Sequence, residues 1–342
     1  MNMSQAINQV LQRQDLSAEQ MTEVMRTIMT GGATDAQIGG FLIGLRMKGE
    51  TVTEITAAAS VMRELASGVD IGGLPHAVDI VGTGGDASGT FNVSTASMFV
   101  AAAAGCHVAK HGNRSVSSKS GSADALESAG IHLMLSPEQV GRCVREVGVG
   151  FMFAPGHHSA MKHAIGPRKE MAARTVFNVL GPLTNPAGVP NLVLGVFSEE
   201  LVEPMAEVLK NLGAKHVLVV HSRDGLDEIS IGAETDVAEL KDGKVSRYTI
   251  KPEDFGLNRT SIDAIKADGP EQSVTMIRDL LGGGAGPARD IVAMNAGAAI
   301  YAAGLADSLV AGVDRAQQVL DSGDGLVRMK QLAELSQTFK QD

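Results

Sequence analysis

Val78-Asp79-Ile80-Val81-Gly82-Thr83-Gly84-Gly85-Asp86 reads as a short apolar strand running straight into a glycine-rich turn. Thr90-Phe91-Asn92-Val93-Ser94-Thr95 follows, and Ser97 to Ala104 then reads as a helix of small residues. A strand, a glycine loop and a helix start form a ready anion site, because bare amides and the positive helix end point at the ligand. The spacing is neither GxGxxG with an acid about 20 residues on nor the GxxxxGKS of a P-loop, so a dinucleotide site is weakly supported and a P-loop is excluded. The competing reading is a tight turn with a serine cap.

Downstream, the same alternation continues. His107–Ala109, Ile131–Leu135, Gly150–Ala154, Leu192–Phe197 and Val217–His221 read as strands. Ala123–Ala129, the Ser136-Pro137-Glu138-Gln139 helix start and Glu199–Leu212 read as helices between them. Strands alternating with helices imply a mostly parallel sheet covered on both faces. The last third carries helical stretches at Gln272–Leu281, Asp290–Ala303 and Val313–Leu320, then a tail helix. Upstream, residues 1 to about 70 read as all helix, with capping boxes at Ser17–Gln20, Thr34–Gln37 and Thr51–Glu54. The fold class is therefore α/β: a small helical N-terminal domain plus a larger α/β domain around a central, mostly parallel sheet. The stretch His163–Pro182 is helical and flanked by Gly-Pro and Asn-Pro turns, so it is a candidate for rejoining the helical bundle.

Composition removes several function classes. The chain has 342 residues, 29 Lys plus Arg against 39 Asp plus Glu, and a net charge of −10, which argues against a protein that grips nucleic acid. Aromatics are 3% and Trp is absent, so base-stacking platforms are disfavoured. Cys106 and Cys143 lie in apolar surroundings without CxxC spacing, against a disulfide framework or structural zinc. The longest apolar run, Met98–Ala104, is too short for a membrane span, and the polar, amphipathic N-terminus does not read as a signal peptide. The expectation is a cytoplasmic protein.

Three further segments carry chemistry. Lys110-His111-Gly112-Asn113-Arg114-Ser115-Val116-Ser117-Ser118-Lys119-Ser120-Gly121-Ser122 has three Lys or Arg and no acid in thirteen residues. A solvated loop is the bland reading; a cationic, hydroxyl-rich loop leading into a helix also suits a polyanion such as pyrophosphate. Asp224-Gly225-Leu226-Asp227-Glu228-Ile229-Ser230 follows the strand Val217–Val220. Its paired carboxylates are a solvated turn if alone, but beside a polyanion they are the natural seat of magnesium. His157, His158 and His163 do not match a zinc helix and read as the lining of a polar pocket. Arg168 is either a two-point carboxylate clamp or a surface arginine beside Glu170.

GTGGD at Gly82–Asp86, TFNVST at Thr90–Thr95, KHGNRSVSSKSGSAD at Lys110–Asp124, RTVFNVLGPLTNP at Arg174–Pro186 and DGLDEIS at Asp224–Ser230 together resemble the anthranilate phosphoribosyltransferase family, in order over nearly the whole chain. The resemblance implies transfer of the phosphoribosyl group of 5-phosphoribosyl 1-pyrophosphate to the amine of anthranilate in tryptophan biosynthesis, with magnesium, two ions per monomer. It implies a helical domain of residues 1–72 joined by about 165–184, an α/β domain of 73–164 and 185–342, and a homodimer formed through the helical domains. It implies that Gly82, Gly85, Asp86, Thr90, Asn92, Val93, Ser94 and Thr95 hold the donor. Lys110, His111, Gly112, Asn113, Arg114, Ser115, Val116, Ser117, Ser118 and Ser122 would join them. Gly82, Asn113 and Arg168 would contact anthranilate, with His111 and His158 near its entry path. Ser94, Asp227 and Glu228 would bind magnesium, and Lys110 and Lys119 would stabilise the leaving pyrophosphate. No dedicated catalytic triad is expected, since the acceptor amine is already a nucleophile. Association with the glutamine amidotransferase of anthranilate synthase stays open at this level. The chain departs from the family at Val93, at Ser159 and at Pro167, where Ile, Pro and Val are frequent. A pyrimidine nucleoside phosphorylase and a nucleic-acid-binding relative of the same fold are the competing readings; the Lys110–Arg114 run with Asp227-Glu228 speaks against the first, and the acidic balance against the second.

Overall fold

The structure, a computed structural model, describes residues 1–86, 88–115 and 119–341. Four helices open the chain: α1 (Met3–Leu11), α2 (Ala18–Met29), α3 (Asp35–Lys48) and α4 (Val52–Glu64). The three capping boxes read from sequence form at α2, α3 and α4, and a fourth, Asn2 with Gln5, starts α1.

The alternating part runs β1 (Ala77–Gly82), α5 (Val93–Ala103), β2 (His107–Gly112), α6 (Ser122–Ser128), α7 (Pro137–Val147), β3 (Val149–Phe153), α8 (Ala154–His157), α9 (Lys162–Met171), α10 (Phe177–Leu180), β4 (Asn191–Gly195), α11 (Val202–Asn211) and β5 (His216–Ser222). The hairpin β6 (Thr235–Lys241) and β7 (Lys244–Ile250) follows. The chain closes with α12 (Pro270–Leu281), α13 (Pro287–Ala302), α14 (Leu309–Ser322) and α15 (Asp324–Thr338). One seven-stranded sheet has the order β3-β2-β1-β4-β5-β6-β7. Its first five strands are parallel, and β6 and β7 add antiparallel.

Side-chain alternation divides the sheet between two cores. Leu192 and Leu194 of β4 and Val217 and Val219 of β5 face the helical N-terminal part and α11. Val193, Leu218 and Val220 face the opposite core, built on α5, α12, α13 and α15. Ala164, Phe177 and Leu180, on α9 and α10, are buried in the first core together with Met25, Phe41 and Leu45 of the bundle. Arg63 ties α4 to the larger part through the Leu183 carbonyl at 2.6 Å and the Leu212 carbonyl at 3.2 Å.

Two sequence expectations need correction. Ile131–Leu135 is an irregular connection, not a strand. Ile131 and Leu133 are buried, but the His132 amide pairs with the Ser336 hydroxyl of α15 at 3.0 Å and not with a neighbouring strand. Second, α5 starts at Val93, so the TFNVST motif is the helix start itself. Among the described residues no helix is long and apolar enough to cross a membrane.

The strand order reverses at β1. From there the chain goes outward through β2 and β3, then returns to the other side with β4. In open α/β sheets such a reversal leaves a crevice at the carboxyl ends of the flanking strands, where ligands bind. The glycine loop after β1 sits there.

Candidate active site

The crevice is built by steric necessity around Asp227. A Cβ on Gly195, at the end of β4, would lie 1.5 Å from the Asp227 carbonyl oxygen, and one on Gly82 would lie 2.5 Å from Asp227 Oδ2. Only bare backbone lets β1 and β4 close on that residue. Gly84, at φ +67°, donates its amide to Asp227 Oδ2 at 2.7 Å, and the Ser94 amide of α5 donates to Glu228 Oε1 at 3.2 Å. The two carboxylates thus join the glycine loop to the α5 start. Asn295 of α13 holds the next residue, donating to the Ile229 carbonyl at 2.9 Å and accepting from its amide at 3.0 Å.

Burial pushes the Asp227 and Glu228 carboxyls upward, with the charge of Asp86 adding for Asp227 and that of Asp227 adding for Glu228. Lys110, itself buried, opposes this, and burial drives its own ammonium downward. Its Nζ donates to the Ile80 carbonyl. Two like charges with one shared lysine are under-compensated, which is the electrostatics of a divalent-cation site. Among the described residues no three His, Cys, Asp or Glu side chains close on one point. The residues fit magnesium, which takes one or two carboxylates and fills its remaining positions with water and phosphate oxygens.

Around this centre the expected donor residues occupy one rim. Gly85, at φ +80°, receives Arg174 Nη2 on its carbonyl at 2.5 Å, and that guanidinium lies 4.4 Å from the centre of the Phe197 ring. Asp86 accepts the Ser88 amide at 3.4 Å, and Thr90 bridges to Lys266. Asn92 spends its carboxamide on neighbours: Oδ1 accepts from Ser120 Oγ at 2.8 Å and Ser273 Oγ at 2.7 Å, and Nδ2 donates to the Ser120 carbonyl at 3.2 Å. It therefore ties the first loop to the second and to α12. Val93 and Thr95 are buried, and Thr95 Oγ1 has no hydrogen-bond partner among the described residues.

On the second loop a Cβ at Gly112 would meet Ser122 Oγ at 2.4 Å, and Ser122 donates to the Asn113 carbonyl at 3.3 Å. The Ser115 amide donates to Asp124 at 3.1 Å. The sign-unmixed run of the sequence is mixed in space. Arg114 pairs with Asp124 and Glu127, both at 2.9 Å, and Lys119 with Asp268 at 2.7 Å. Val116, Ser117 and Ser118 lie outside the described residues.

The three histidines do not converge. His157 faces the Ser67 carbonyl at 3.0 Å, and His163 abuts Gly31. His158 lies against His111, with ring centres 5.0 Å apart. Burial and the neighbouring imidazoles depress His111 to about 3 and His158 to about 4, and both Nε2 atoms lack partners among the described residues. Arg168 stands over the Phe177 ring at 5.1 Å, and burial, with no charged partner among the described residues, lowers its guanidinium. Its guanidinium is left for another partner. Sequence reasoning missed Asp79, Arg174, Asn185 and Asn295. A lone Asn in the alanine-rich run Ile291–Ala302 was the available signal for Asn295, since a buried amide demands partners.

Comparison with known proteins assigns the class first. Residues 74–326 match the Glycosyl transferase family, a/b domain, and residues 4–66 match the Glycosyl transferase family, helical bundle domain. An anthranilate phosphoribosyltransferase from Thioalkalivibrio sulfidiphilus is 62% identical over 332 residues, 97% of this chain and 98% of that protein. The crystal structure of an anthranilate phosphoribosyltransferase from Thermus thermophilus superposes with a TM-score of 0.92 at 45% identity, covering 97% of this chain and 99% of that one. The Saccharomyces cerevisiae enzyme in complex with PRPP and Mg superposes at 0.90 with 26% identity, covering 98% of each chain. The chain belongs to the anthranilate phosphoribosyltransferase family.

Proposed function

We infer that this crevice transfers the phosphoribosyl group of 5-phosphoribosyl 1-pyrophosphate to the amine of anthranilate, giving N-(5-phosphoribosyl)anthranilate and pyrophosphate. The observation that carries the reading is the meeting of the Gly82–Gly85 loop, the α5 start, Lys110 and the Asp227-Glu228 pair at the point of strand reversal. The C1–O bond to pyrophosphate breaks while the bond from the amine nitrogen to C1 forms, and the proton the nitrogen loses after attack passes to solvent water. The loop amides and Lys110 stabilise charge developing on the leaving group, the dominant contribution in such sites. Asp227, Glu228 and Ser94 would hold magnesium, which when bound supplies countercharge to the pyrophosphate oxygens. The count of two ions comes from the family resemblance; Asp227 and Glu228 share one buried lysine with Asp79, and Asp86 adds to their repulsion.

Donor contacts are assigned to Gly82, Gly85, Asp86, Thr90, Val93, Ser94, Thr95, Lys110–Ser115 and Ser122, with Asn92 as the strut between the loops. Acceptor contacts are assigned to Gly82, Asn113 and Arg168. The absence of a carboxylate beside Arg168 among the described residues supports its role as the clamp for anthranilate's own. The division into residues 1–72 with 165–184, and the remainder, belongs to the same reading. So does a cytoplasmic setting, supported by two buried free thiols, Cys106 and Cys143.

A homodimer through the helical part is supported by one exposed face. Leu11, Ile43 and Met47 are 65%, 39% and 71% exposed along a groove of about 640 Å³ between α1 and α3. Apolar side chains that exposed in one patch mark an interface. The test of the function is fluorimetric loss of anthranilate on adding donor and magnesium; phosphorolysis of uridine with no such loss would assign the fold's other chemistry.

A further inference from the structure

The strands β1 and β2 stay in register only at Ala77–His107 and Val78–Val108, whereas β1–β4 and β2–β3 each continue for five pairs. Beyond Val78 the ladder between the two strands breaks although they stay side by side, and the backbone groups facing across it need other partners. Side chains supply them. Asp79 Oδ1 accepts the His111 amide at 3.3 Å, and Asp79 Oδ2 accepts Asn185 Nδ2 at 2.7 Å. The same Nδ2 donates to the Ala109 carbonyl at 2.9 Å, and Lys110 Nζ donates to the Ile80 carbonyl. Asn185 Oδ1 is in turn fixed by the Ala187 amide at 2.9 Å, so the amide orientation is set. Asp79 is fully buried and Asn185 is 6% exposed.

We propose that Asp79 and Asn185 are positioning residues: a polar bridge that replaces the broken β1–β2 ladder and thereby sets Lys110 and His111 at the crevice. The inference rests on the functional reading above. A buried carboxylate is costly in mid-strand, and burial raises Asp79 to about 6. An apolar residue would satisfy neither the His111 amide nor Asn185, so the carboxylate is the side chain the broken ladder requires. Asn185 brings the turn after α10 to the break, so the segment returning from the helical part touches the reacting end of the sheet.

Asp79→Asn keeps the size of the side chain, but the new carboxamide sets an N–H against the Asn185 N–H or against the His111 amide. Rotating the Asn185 amide would remove its donor from Ala109 and its acceptor from Ala187. Steady-state constants are measured on folded protein well below the melting temperature, for wild type, Asp79→Asn, and the exchange Asp79→Asn with Asn185→Asp. The expected result is a loss of about tenfold or more in kcat/KM for the donor in the single variant, because a displacement of about 1 Å at a charged contact is felt that strongly. The exchange restores donor against acceptor between the two side chains but sets a carboxylate against the Ala109 carbonyl, so it recovers only part of the loss. If Asp79→Asn does not fold, Asn185→Ala, which keeps the bond to His111, is read the same way. A donor kcat/KM within about threefold of wild type, with only the melting temperature lowered, overturns the proposal and leaves a structural role. Wild-type protein without transferase activity would instead overturn the functional reading.

Discussion

Asp227 and Glu228 are acids that the fold holds at a disadvantage. Burial and mutual repulsion raise both, and one lysine cannot offset them. Replacing them with Asn and Gln relieves that repulsion while removing two of the acids that face Lys110, so the metal-free protein should stay folded with its melting temperature changed far less than its turnover. Magnesium-dependent turnover should fall at least about a hundredfold, the cost of removing a metal's ligands and their charge. Full activity in that double variant would end the metal assignment. The proposed acceptor role of Arg168 is separable from the donor site. Its guanidinium stacks on Phe177 and has no acid beside it among the described residues. Arg168→Ala should raise KM for anthranilate about tenfold or more, the worth of a charge-assisted hydrogen bond, with donor KM little changed. The opposite split would move Arg168 to the donor.

At the scale of elements, the tight contact is between the ends of β4 and β1 and the turn carrying Asp227. Gly195→Ala forces a methyl group into the Asp227 backbone, and overpacking of this kind costs about 1–3 kcal/mol or more. The variant should melt lower and lose magnesium-dependent donor binding together; an unaffected melting temperature would mean the two strands are free to shift. The parallel strands were legible because each carries an apolar run followed by turn residues, and the helix starts because capping boxes are local. The hairpin β6–β7 was overlooked although Asp242-Gly243 sits between two alternating runs, with both residues at positive φ (+51° and +74°), the turn geometry of a two-residue hairpin. Ile131–Leu135 misled because alternating burial against α15 imitates a strand without a ladder. The glycine loop, the cationic loop and the acid pair were visible as motifs. Asp79, Asn185 and Arg174 were not, because their roles depend on a break in the β1–β2 ladder and on contacts between residues about 90 to 110 positions apart in the chain, which no local pattern encodes.

Across the whole molecule, the buried imidazoles couple stability to pH. His111 and His158 fall from the ordinary 6.5 to about 3 and about 4, so each is neutral when folded and takes up a proton more readily when unfolded. Their contribution is complete above pH 6.5 and is lost as pH falls toward the folded values. Asp79, Asp227 and Glu228, raised to about 6, 6 and 8, act in the opposite sense and gain stability as pH falls, so the histidine contribution, at most about 1.4 kcal/mol per pH unit each, is read as the difference in urea stability between wild type and His158→Gln. A difference that does not change with pH would show that the ring is not held neutral. The α1–α3 face makes a second prediction at this scale. Met47→Asp with Ile43→Asp should shift the protein from dimer to monomer by light scattering, while a wild type that is already monomeric would remove the dimer from the account.

The most direct test is a calorimetric titration of 5-phosphoribosyl 1-pyrophosphate into the protein, with and without saturating magnesium. Saturable binding that magnesium strengthens, and that Asp227→Asn with Glu228→Gln abolishes, is the expected result. No heat in the presence of the metal, or equal affinity with and without it, would contradict a crevice in which two loops and a divalent ion share one pyrophosphate.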